Sequence, residues 1–407
     1  MLKKRYLVTA TTFPKWAGDS APRFVLDICI ALQQQGATIL VLVPHSKGSK
    51  FSEIIEGVNI VRYPYFFPFE MERISGEGIV AKLKNNPLLY FVMPFFLLSQ
   101  FFATALCIAR FKPNHILAYW VIPQGLIAYL LSIVNHRIKY TAISLGGDAV
   151  LINKNSSIRF ISRLILSRAS QVIAISSNLK KKLIEAGISD EKVYVQSMGV
   201  WLTEETMMIN RDRDIDIVFV GRLEEKKGVT FLVDALYQLH LEGIIFNAVI
   251  IGNGSLYNVL NNRVTQCGLN DSVHLNGSLP LSEVKKILRR SKIFVLPSID
   301  LSDDVEGLPT IILDAMSQKT AVIATDAGGV PDVVIHNVNG MLVPQKQPSE
   351  IAFAIKKLFT DEVLRNNLAE RAYELIKSDY TYLVIAKKLF RIIEGNIHAG
   401  IIEKKVV

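Results

Sequence analysis

The residues best suited to chemistry lie in one short segment in the second half of the chain, EGLPTIILDAM. Glu306 opens it, Gly307 and Pro309 constrain the backbone, and a mostly apolar run follows. A helix formed by that run would direct unpaired amide N–H groups and the positive end of its dipole at the turn, which suits phosphate. Glu306 adds an acceptor for sugar hydroxyls, and Asp314 follows two turns later on roughly the same face. A cradle for a nucleotide sugar and an acidic loop that caps a core helix both fit this segment.

A second charged segment, GRLEEKKG, runs from Gly221 to Gly228 between an apolar strand and a helix. Arg222 can grip a phosphate through two N–H groups, and Lys227 supplies a point charge. Together they would offset a diphosphate without a metal ion. A solvated charged loop is the alternative, and the Glu306 turn in the same half of the chain favours the ligand.

The elements that must position these residues follow the pattern of a parallel α/β sheet. In the first half, a short apolar strand at residues 6–10 leads into a loop with Gly18, then a helix that ends at Gly36, then the buried strand TILVLV. This order is typical of a parallel sheet, and the loop after the first strand is where such folds bind ligands. Further strands are predicted at residues 58–62, 114–119, 139–144, 171–175 and 193–196.

The second half repeats this architecture after a polar segment, residues 201–214, that lacks periodicity and is interpreted as a linker. The D-x-D sequence of Asp212 and Asp214 stands in that charged linker at the start of a strand, so no metal site is predicted there. Helices separate most of the strands, one of them predicted at LSEVKKILRR, and three more helices end the chain. The strands are predicted at residues 216–221, 247–251, 273–275, 293–296 and 320–324.

Composition limits the class of partner. The chain has 407 residues, half of them hydrophobic and 20% charged, which is enough for two or three domains with sizeable cores. Its net charge of +9 suits an anionic partner such as a phosphorylated ligand or an anionic membrane face. Basic residues do not cluster with aromatic ones as a nucleic-acid groove requires, so no nucleic acid is expected as a partner.

Cysteine usage and the N-terminal residues predict a cytoplasmic protein. Cys29, Cys107 and Cys267 have no metal-ligand or redox spacing, which fits a reducing compartment. The basic residues 3–5 are followed only by a short strand-like run without a small-residue cleavage site. We therefore expect no secretory signal.

One apolar segment, from Pro87 to Ala109, is long enough to span a membrane. Its polar residues, and the strand–helix alternation that resumes directly after it, favour a helix of a soluble domain whose outer side rests in a bilayer interface. Basic residues near both ends suggest a lipid-linked acceptor at the cytoplasmic face of a membrane. They are Lys82, Lys84, Arg110 and Lys112.

A set of short motifs resembles the group 1 (family four) retaining glycosyltransferases of GT-B fold. The motifs are Gly221-Arg222, Lys227-Gly228, the spacing of Glu306 and Asp314, the glycine loop at Gly18, the turn Gly252-Asn253-Gly254 and the run GGVPDVV. The resemblance implies an α/β chain with two Rossmann-like parallel-sheet domains facing a central cleft. The implied divisions are an acceptor domain at 1–200, a linker at 201–214, a donor domain at 215–380, and a C-terminal helix at 381–407 that crosses back to the first domain.

The resemblance also assigns roles to residues. Arg222 and Lys227 resemble the diphosphate-binding pair, and Glu306 resembles the first glutamate of the E-x7-E motif, which meets the donor sugar. Asp314 takes the place of the second glutamate, which usually holds the ribose hydroxyls. Main-chain groups would line the diphosphate and sugar at a further set of positions, namely Gly18, Gly252, Gly307, Leu308, Pro309 and Thr310. No metal and no cofactor is implied, because the nucleoside-diphosphate sugar is itself the donor substrate.

Two positions depart from the family pattern. Asp314 is one methylene shorter than the usual glutamate. The family often has His-Gly-x-Asp where this chain has Leu145-Gly146-Gly147-Asp148, so Leu145 replaces a histidine that commonly contacts the region of the donor sugar's 6-hydroxyl. Asp148 remains and would either face the acceptor or cap a helix or turn.

The implied reaction transfers a sugar from a nucleoside diphosphate to an acceptor hydroxyl with retention of the anomeric configuration. The leaving phosphate takes the acceptor proton, so the protein supplies orientation and charge stabilisation. Two alternatives stay open at this point. One is a catalytically impaired nucleotide-sugar binder, which the two departures favour. The other is a nucleotide-sugar epimerase, although the seven histidines are scattered and form no evident catalytic set.

Overall fold

The computed structural model describes residues 4–19, 21–74, 79, 82–83, 86–148, 152, 155–202, 213–301 and 307–396. These residues form two compact units. The first unit contains the described residues up to Ile175, the segment Leu179–Ser197, and the described residues from Tyr382 onward. The second unit contains Ser176–Asn178 and the described residues from Met198 to Thr381.

The first unit is built on an eight-stranded sheet in the order β3-β4-β2-β1-β5-β6-β7-β8. Neighbouring strands are parallel except β3, which runs antiparallel to β4 at the sheet edge. The central strands β5 and β6 are buried along their whole length, because helices cover both faces of a parallel sheet. The strands are β1 Arg5–Thr9, β2 Thr38–Pro44, β3 Ser52–Ile55, β4 Val58–Tyr63, β5 His115–Tyr119, β6 Tyr140–Ser144, β7 Gln171–Ala174 and β8 Val193–Val195.

Helices connect these strands. They are α1 Phe24–Gln34, α2 Leu89–Phe111, α3 Leu126–Val134, α4 Ser156–Arg168 and α5 Ser177–Glu185. The helix predicted from the apolar segment after Pro87 is α2, which packs against β1, β2 and β4 of the sheet. Among the described residues, α2 is one helix whose length and composition would allow it to cross a membrane.

The second unit has a six-stranded sheet in the order β11-β10-β9-β12-β13-β14, and all its neighbouring strands are parallel. Its strands are β9 Ile215–Val220, β10 Ala248–Ile251, β11 Val273–Leu275, β12 Ser291–Leu296, β13 Ala321–Thr325 and β14 Met341–Val343. Its helices are α6 Val229–Leu241, α7 Tyr257–Gln266, α8 Leu281–Arg290, α9 Thr310–Ser317, α10 Pro348–Thr360 and α11 Glu362–Leu375. One continuous apolar core, between Val200 and Ile376, fills this unit.

The last described helix, α12 at Tyr382–Ile393, belongs to the first unit and packs against α1. The rings of Phe390 and Tyr6 have centroids 5.5 Å apart, and the Gln196 side-chain amide donates to the Ile385 carbonyl at 3.1 Å. The chain therefore completes its second unit before it adds a helix to its first.

The predicted class, α/β with two parallel sheets, is confirmed. Two strands were not predicted: β3 and β14 are short edge strands that the sequence pattern alone does not distinguish from loops. The predicted linker at 201–214 lies largely outside the described residues.

Candidate active site

The predicted donor-binding loops leave one edge of the second sheet. Strands β10, β9, β12 and β13 are adjacent and parallel, so the loops at their carboxyl ends emerge side by side. In open parallel sheets this edge is where ligands bind. Arg222 and Lys227 lie in the loop after β9, and Gly307 to Thr310 end the connection from β12 to α9.

Backbone hydrogen bonds join these loops to one another. Leu223 N–H donates to the Asn253 carbonyl at 2.9 Å, which links the loops after β9 and β10. Ile299 N–H donates to the Lys226 carbonyl at 2.8 Å, which links the loops after β12 and β9. Because three loops are tied through main-chain groups, the carbonyl and amide positions at this edge are fixed independently of side-chain rotamers.

Two glycines permit this close approach. Gly228 has a φ of +61°, and a Cβ placed there would lie 1.8 Å from the Pro297 carbonyl oxygen. Gly252 has a φ of +145°, and its Cβ would lie 1.8 Å from the Gly221 carbonyl oxygen. Any side chain at either position would separate adjacent loops, so both glycines are required by the packing of the loops themselves.

The two predicted phosphate ligands are on the same loop. Arg222 is more than half exposed, and one of its terminal nitrogens lies 3.0 Å from Glu224 Oε1. Such an exposed ion pair contributes at most about 1 kcal/mol, so an incoming phosphate can displace it. Lys227 ends a single helical turn, Glu225–Lys227, and its Cδ would lie 3.8 Å from a Cβ built on Gly221. The lysine stem therefore runs beside the end of β9.

Helix α9 begins at Thr310 with Pro309 as its N-terminal cap residue. Leu308 is buried in the core, whereas Thr310 is exposed at the first turn. The Gly307 carbonyl accepts a hydrogen bond from Gly329 N–H at 2.7 Å, which ties the start of α9 to the loop after β13. The side chain of Leu308 thus anchors the turn, and only its main chain could meet a ligand. Glu306, which was predicted to meet the donor sugar, lies outside the described residues.

Asp314 lies in the second turn of α9 and is mostly buried. Its carboxylate is 3.3 Å from the Lys285 ammonium on α8, and the two helices pack together. Sequence reasoning assigned Asp314 to the ribose hydroxyls but did not identify Lys285. The segment LSEVKKILRR was correctly predicted as a helix, yet nothing in its spacing indicates which lysine meets α9.

Two further polar side chains at this edge were missed. The Ser298 hydroxyl and the Asp300 Oδ1 atom are buried and have no hydrogen-bond partner among the described residues. Asp300 Oδ2 accepts from Gly328 N–H at 3.2 Å, which places the carboxylate beside the loop after β13. Buried polar atoms are normally paired, so these two are candidates for ligand or water contacts. The only sequence signal was their position directly after a buried strand.

The candidates of the first unit occupy the loops after β1 and β6. Gly18 lies in a turn with a φ of +83°. Asp148 is buried, and its carboxylate accepts from the Ser144 hydroxyl at 2.8 Å and from Gly146 N–H and Val121 N–H at 3.2 Å. Burial raises the pKa of Asp148, and these hydrogen bonds oppose that rise. The contacts match the capping alternative, while its acceptor-side role stays a prediction.

A metal site can be assessed only where the chain is described. No group of three or more His, Cys, Asp or Glu side chains in that part of the chain is arranged to hold a metal ion. Asp214, the second aspartate of the D-x-D sequence, accepts a hydrogen bond from Arg290 Nε at 2.8 Å.

Comparison with known proteins indicates the class of protein to which this site corresponds. Residues 208–375 match the family described as glycosyl transferases group 1. The chain is 31% identical over 229 residues to AmsK, the amylovoran biosynthesis glycosyltransferase of Erwinia amylovora, and this match covers 55% of the chain and 56% of AmsK. It is 29% identical over 294 residues to WcaL of Escherichia coli K12, which is named for colanic acid biosynthesis, and this match covers 71% of the chain and 70% of WcaL.

Solved structures give the fold. Sucrose-phosphate synthase from Thermosynechococcus elongatus has a TM-score of 0.76 at 16% identity over 97% of this chain and 99% of its own. HepE of Anabaena, solved in complex with UDP, has a TM-score of 0.68 at 17% identity over 96% of this chain and 100% of its own. The fold of the chain is GT-B. Its residues 208–375 match the group 1 glycosyltransferases, as the resemblance read from the motifs predicts.

Proposed function

We propose that the chain is a retaining, metal-independent glycosyltransferase that moves a sugar from a nucleoside diphosphate to an acceptor hydroxyl. The observation that carries the proposal is the loop from Gly221 to Gly228. It combines an exposed guanidinium and a lysine with neighbouring loops that hydrogen bonds and close glycine contacts hold in place. A leaving diphosphate needs this combination of fixed positions and positive charge.

The proposed donor is a sugar nucleotide, with uridine as the favoured base. HepE, which shares the fold, has been solved with UDP-glucose. In this chain, Asp314 would hold the ribose, and Arg222 and Lys227 would hold the diphosphate. Glu306 would meet the sugar, and the amides at the start of α9 would complete the contacts.

The proposed reaction balances without a protein base. The bond between the anomeric carbon and the diphosphate oxygen breaks, and the acceptor oxygen bonds to the same face of that carbon. The acceptor proton passes to an oxygen of the leaving diphosphate. Negative charge grows on the diphosphate in the transition state, so Arg222 and Lys227 stabilise that state more than the bound substrate.

The proposed acceptor is a lipid-linked or cell-surface glycan precursor at the cytoplasmic face of the cell membrane. AmsK and WcaL, named for amylovoran and colanic acid biosynthesis, support a role in polysaccharide assembly. The three cysteines of this chain are free and buried, which suits a reducing compartment.

A nucleotide-sugar binder without transfer activity is the second candidate. Leu145, in place of a histidine, and Asp314, already paired with Lys285, favour it. Incubation of UDP-sugars with and without glycan acceptors separates the candidates. Transfer to acceptor supports the glycosyltransferase, a thermal shift without any product supports the binder, and conversion of the donor alone to an epimer supports an epimerase.

The phosphate pair can be tested by Arg222→Ala and Lys227→Ala in the same transfer assay. We expect each to lower turnover about a hundredfold, since loss of one group aimed at developing charge costs about 3 kcal/mol. Arg263→Ala is the matched control, because Arg263 is also an exposed arginine paired with a carboxylate, that of Asp234 on α6. Near-normal turnover in both loop variants would contradict the assignment.

A UDP-sugar at about a hundred times its Kd should stabilise the wild type by about 2.7 kcal/mol.

A further inference from the structure

Helix α2 exposes a row of apolar residues on its outer face. Five large apolar side chains, spaced three or four residues apart, share one face and are between 45% and 67% exposed. They are Phe91, Phe95, Leu98, Phe102 and Leu106. We call them the outer stripe.

The opposite face of α2 buries apolar residues together with two polar ones. Gln100 and Thr104 are both almost fully buried, and the Thr104 hydroxyl donates to the Gln100 carbonyl at 2.7 Å. A helix on the surface of a soluble domain normally has apolar residues on its core-facing side and polar residues on its outer side, whereas α2 has apolar residues on both sides. The helix is nevertheless fixed in the unit, because its inner face packs on the sheet.

The loop after β4 extends the apolar surface. The ring of Phe66 lies 5.4 Å from that of Phe95 and 6.3 Å from that of Phe91, measured between centroids. Phe67 is the next residue, and most of its side chain is exposed. The loop is held from behind, since the buried Glu72 carboxylate accepts from Tyr65 N–H at 2.7 Å.

Two further helices of this unit also expose apolar side chains. Helix α2 packs against α3, and α3 packs against α4. Both neighbours expose apolar side chains of their own, namely Ile133 and Val134 on α3 and Phe160, Ile161 and Leu164 on α4. Isolated exposed apolar residues are ordinary, but several on successive packed helices mark an interaction surface.

The charge of this part of the chain identifies the partner. Residues 86–168 contain one acidic residue, Asp148, which is buried. The same residues contain eight basic ones: Arg110, Lys112, Arg137, Lys139, Lys154, Arg159, Arg163 and Arg168. Exposed aromatic and aliphatic side chains in a part of the chain that has an excess of basic residues match the interface of a bilayer that contains anionic lipids.

We propose that the outer stripe of α2, with Phe66 and Phe67, is a peripheral binding surface for an anionic phospholipid bilayer. The helix lies in the interface and does not cross the membrane, because a crossing would strip it from the sheet and place Gln100 and Thr104 in lipid. This surface would bring the proposed glycosyltransferase to a membrane. The test of membrane binding requires no enzymatic activity.

Flotation with vesicles tests the proposal. The wild type should float with vesicles of phosphatidylcholine and phosphatidylglycerol, float less with phosphatidylcholine alone, and float less at high salt. The variant Phe91→Ser/Phe95→Ser/Phe102→Ser should bind the anionic vesicles at least about tenfold more weakly. Phe353→Ser is the matched control, since Phe353 is an equally exposed phenylalanine on α10 of the second unit. Its flotation should equal that of the wild type.

Other outcomes would overturn the proposal. Wild-type protein that does not float with anionic vesicles at low salt excludes a lipid partner. Protein that stays in the membrane after alkaline carbonate extraction has a spanning helix. A wild-type dimer that the triple variant converts to monomer makes the outer stripe a contact between two copies. The triple variant is folded if its melting temperature and its UDP-sugar thermal shift equal those of the wild type. A wild type without a UDP-sugar thermal shift would contradict the proposed donor site but not the proposed membrane surface.

Discussion

At the scale of single residues, His115 shows how burial sets charge. It stands at the start of β5, buried, with Nε2 2.8 Å from the Thr141 hydroxyl oxygen and its ring edge-on to Tyr6. Burial, with a smaller contribution from Lys139, lowers the pKa of His115 to about 4. The unfolded chain would titrate it near the ordinary value of 6.5. Between these two values the unfolded state binds more protons than the folded one, so stability is full above about pH 6.5 and falls as the pH drops toward 4.

The variant His115→Gln should lose this pH dependence, since glutamine can keep a hydrogen bond to Thr141 and does not titrate. Between about pH 7 and pH 5, the lowered pKa of His115 should remove about 2 kcal/mol of the wild type's free energy of unfolding. Denaturant unfolding of both proteins at the two pH values measures the difference. The carboxylates titrate alike in both proteins and cancel. Equal pH dependence in the two proteins would show that His115 is not the responsible group.

At the scale of elements, the packing of α8 on α9 places Lys285 beside Asp314. If Asp314 holds the ribose, then Asp314→Asn should weaken binding of UDP about tenfold, because a hydrogen bond to a charged group contributes about 1.5–3 kcal/mol. Binding of 2′,3′-dideoxy-UDP should barely change. Isothermal titration with the two nucleotides gives the ribose preference directly, and a preference that survives Asp314→Asn would remove this residue from the ribose site.

Lys285 is a positioning residue in this arrangement, and its role can be measured through the preference for UDP over the dideoxy analogue. Lys285→Met should reduce the preference for UDP over its dideoxy analogue, and Lys285→Arg should restore it. A general loss of stability would weaken both nucleotides equally, so the ratio separates positioning from folding.

The same two helices show what the sequence could and could not predict. The bounds of α8 and the course of β2 follow from residue pattern, because an amphipathic run and a continuous apolar run each define one element. The short edge strands β3 and β14 depend on pairing with a neighbour and have no strong pattern of their own. Likewise, Lys285 and Asp314 lie on separate helices, and only tertiary packing brings them together. Loop residues such as Arg222 were identifiable because charge and glycine follow a buried strand.

At the scale of the whole molecule, the chain leaves its first unit, builds the second, and returns with α12. The returning helix buries Ile385, Leu389 and Ile392, and Phe390 contacts Tyr6 of β1. The second unit has its own core, formed by residues between Val200 and Ile376. A cavity created in either core should therefore first destabilise the unit that contains that core.

Leu389→Ala and Leu358→Ala form a matched pair for this prediction. Both leucines are almost fully buried, Leu389 on α12 in the first unit and Leu358 on α10 in the second. Each substitution should cost about 2–5 kcal/mol. Hydrogen exchange followed by mass spectrometry should show lost protection in β1 and α1 for Leu389→Ala, and in α6 and β13 for Leu358→Ala. If Leu389→Ala instead left β1 and α1 protected, the returning helix would not stabilise the first unit.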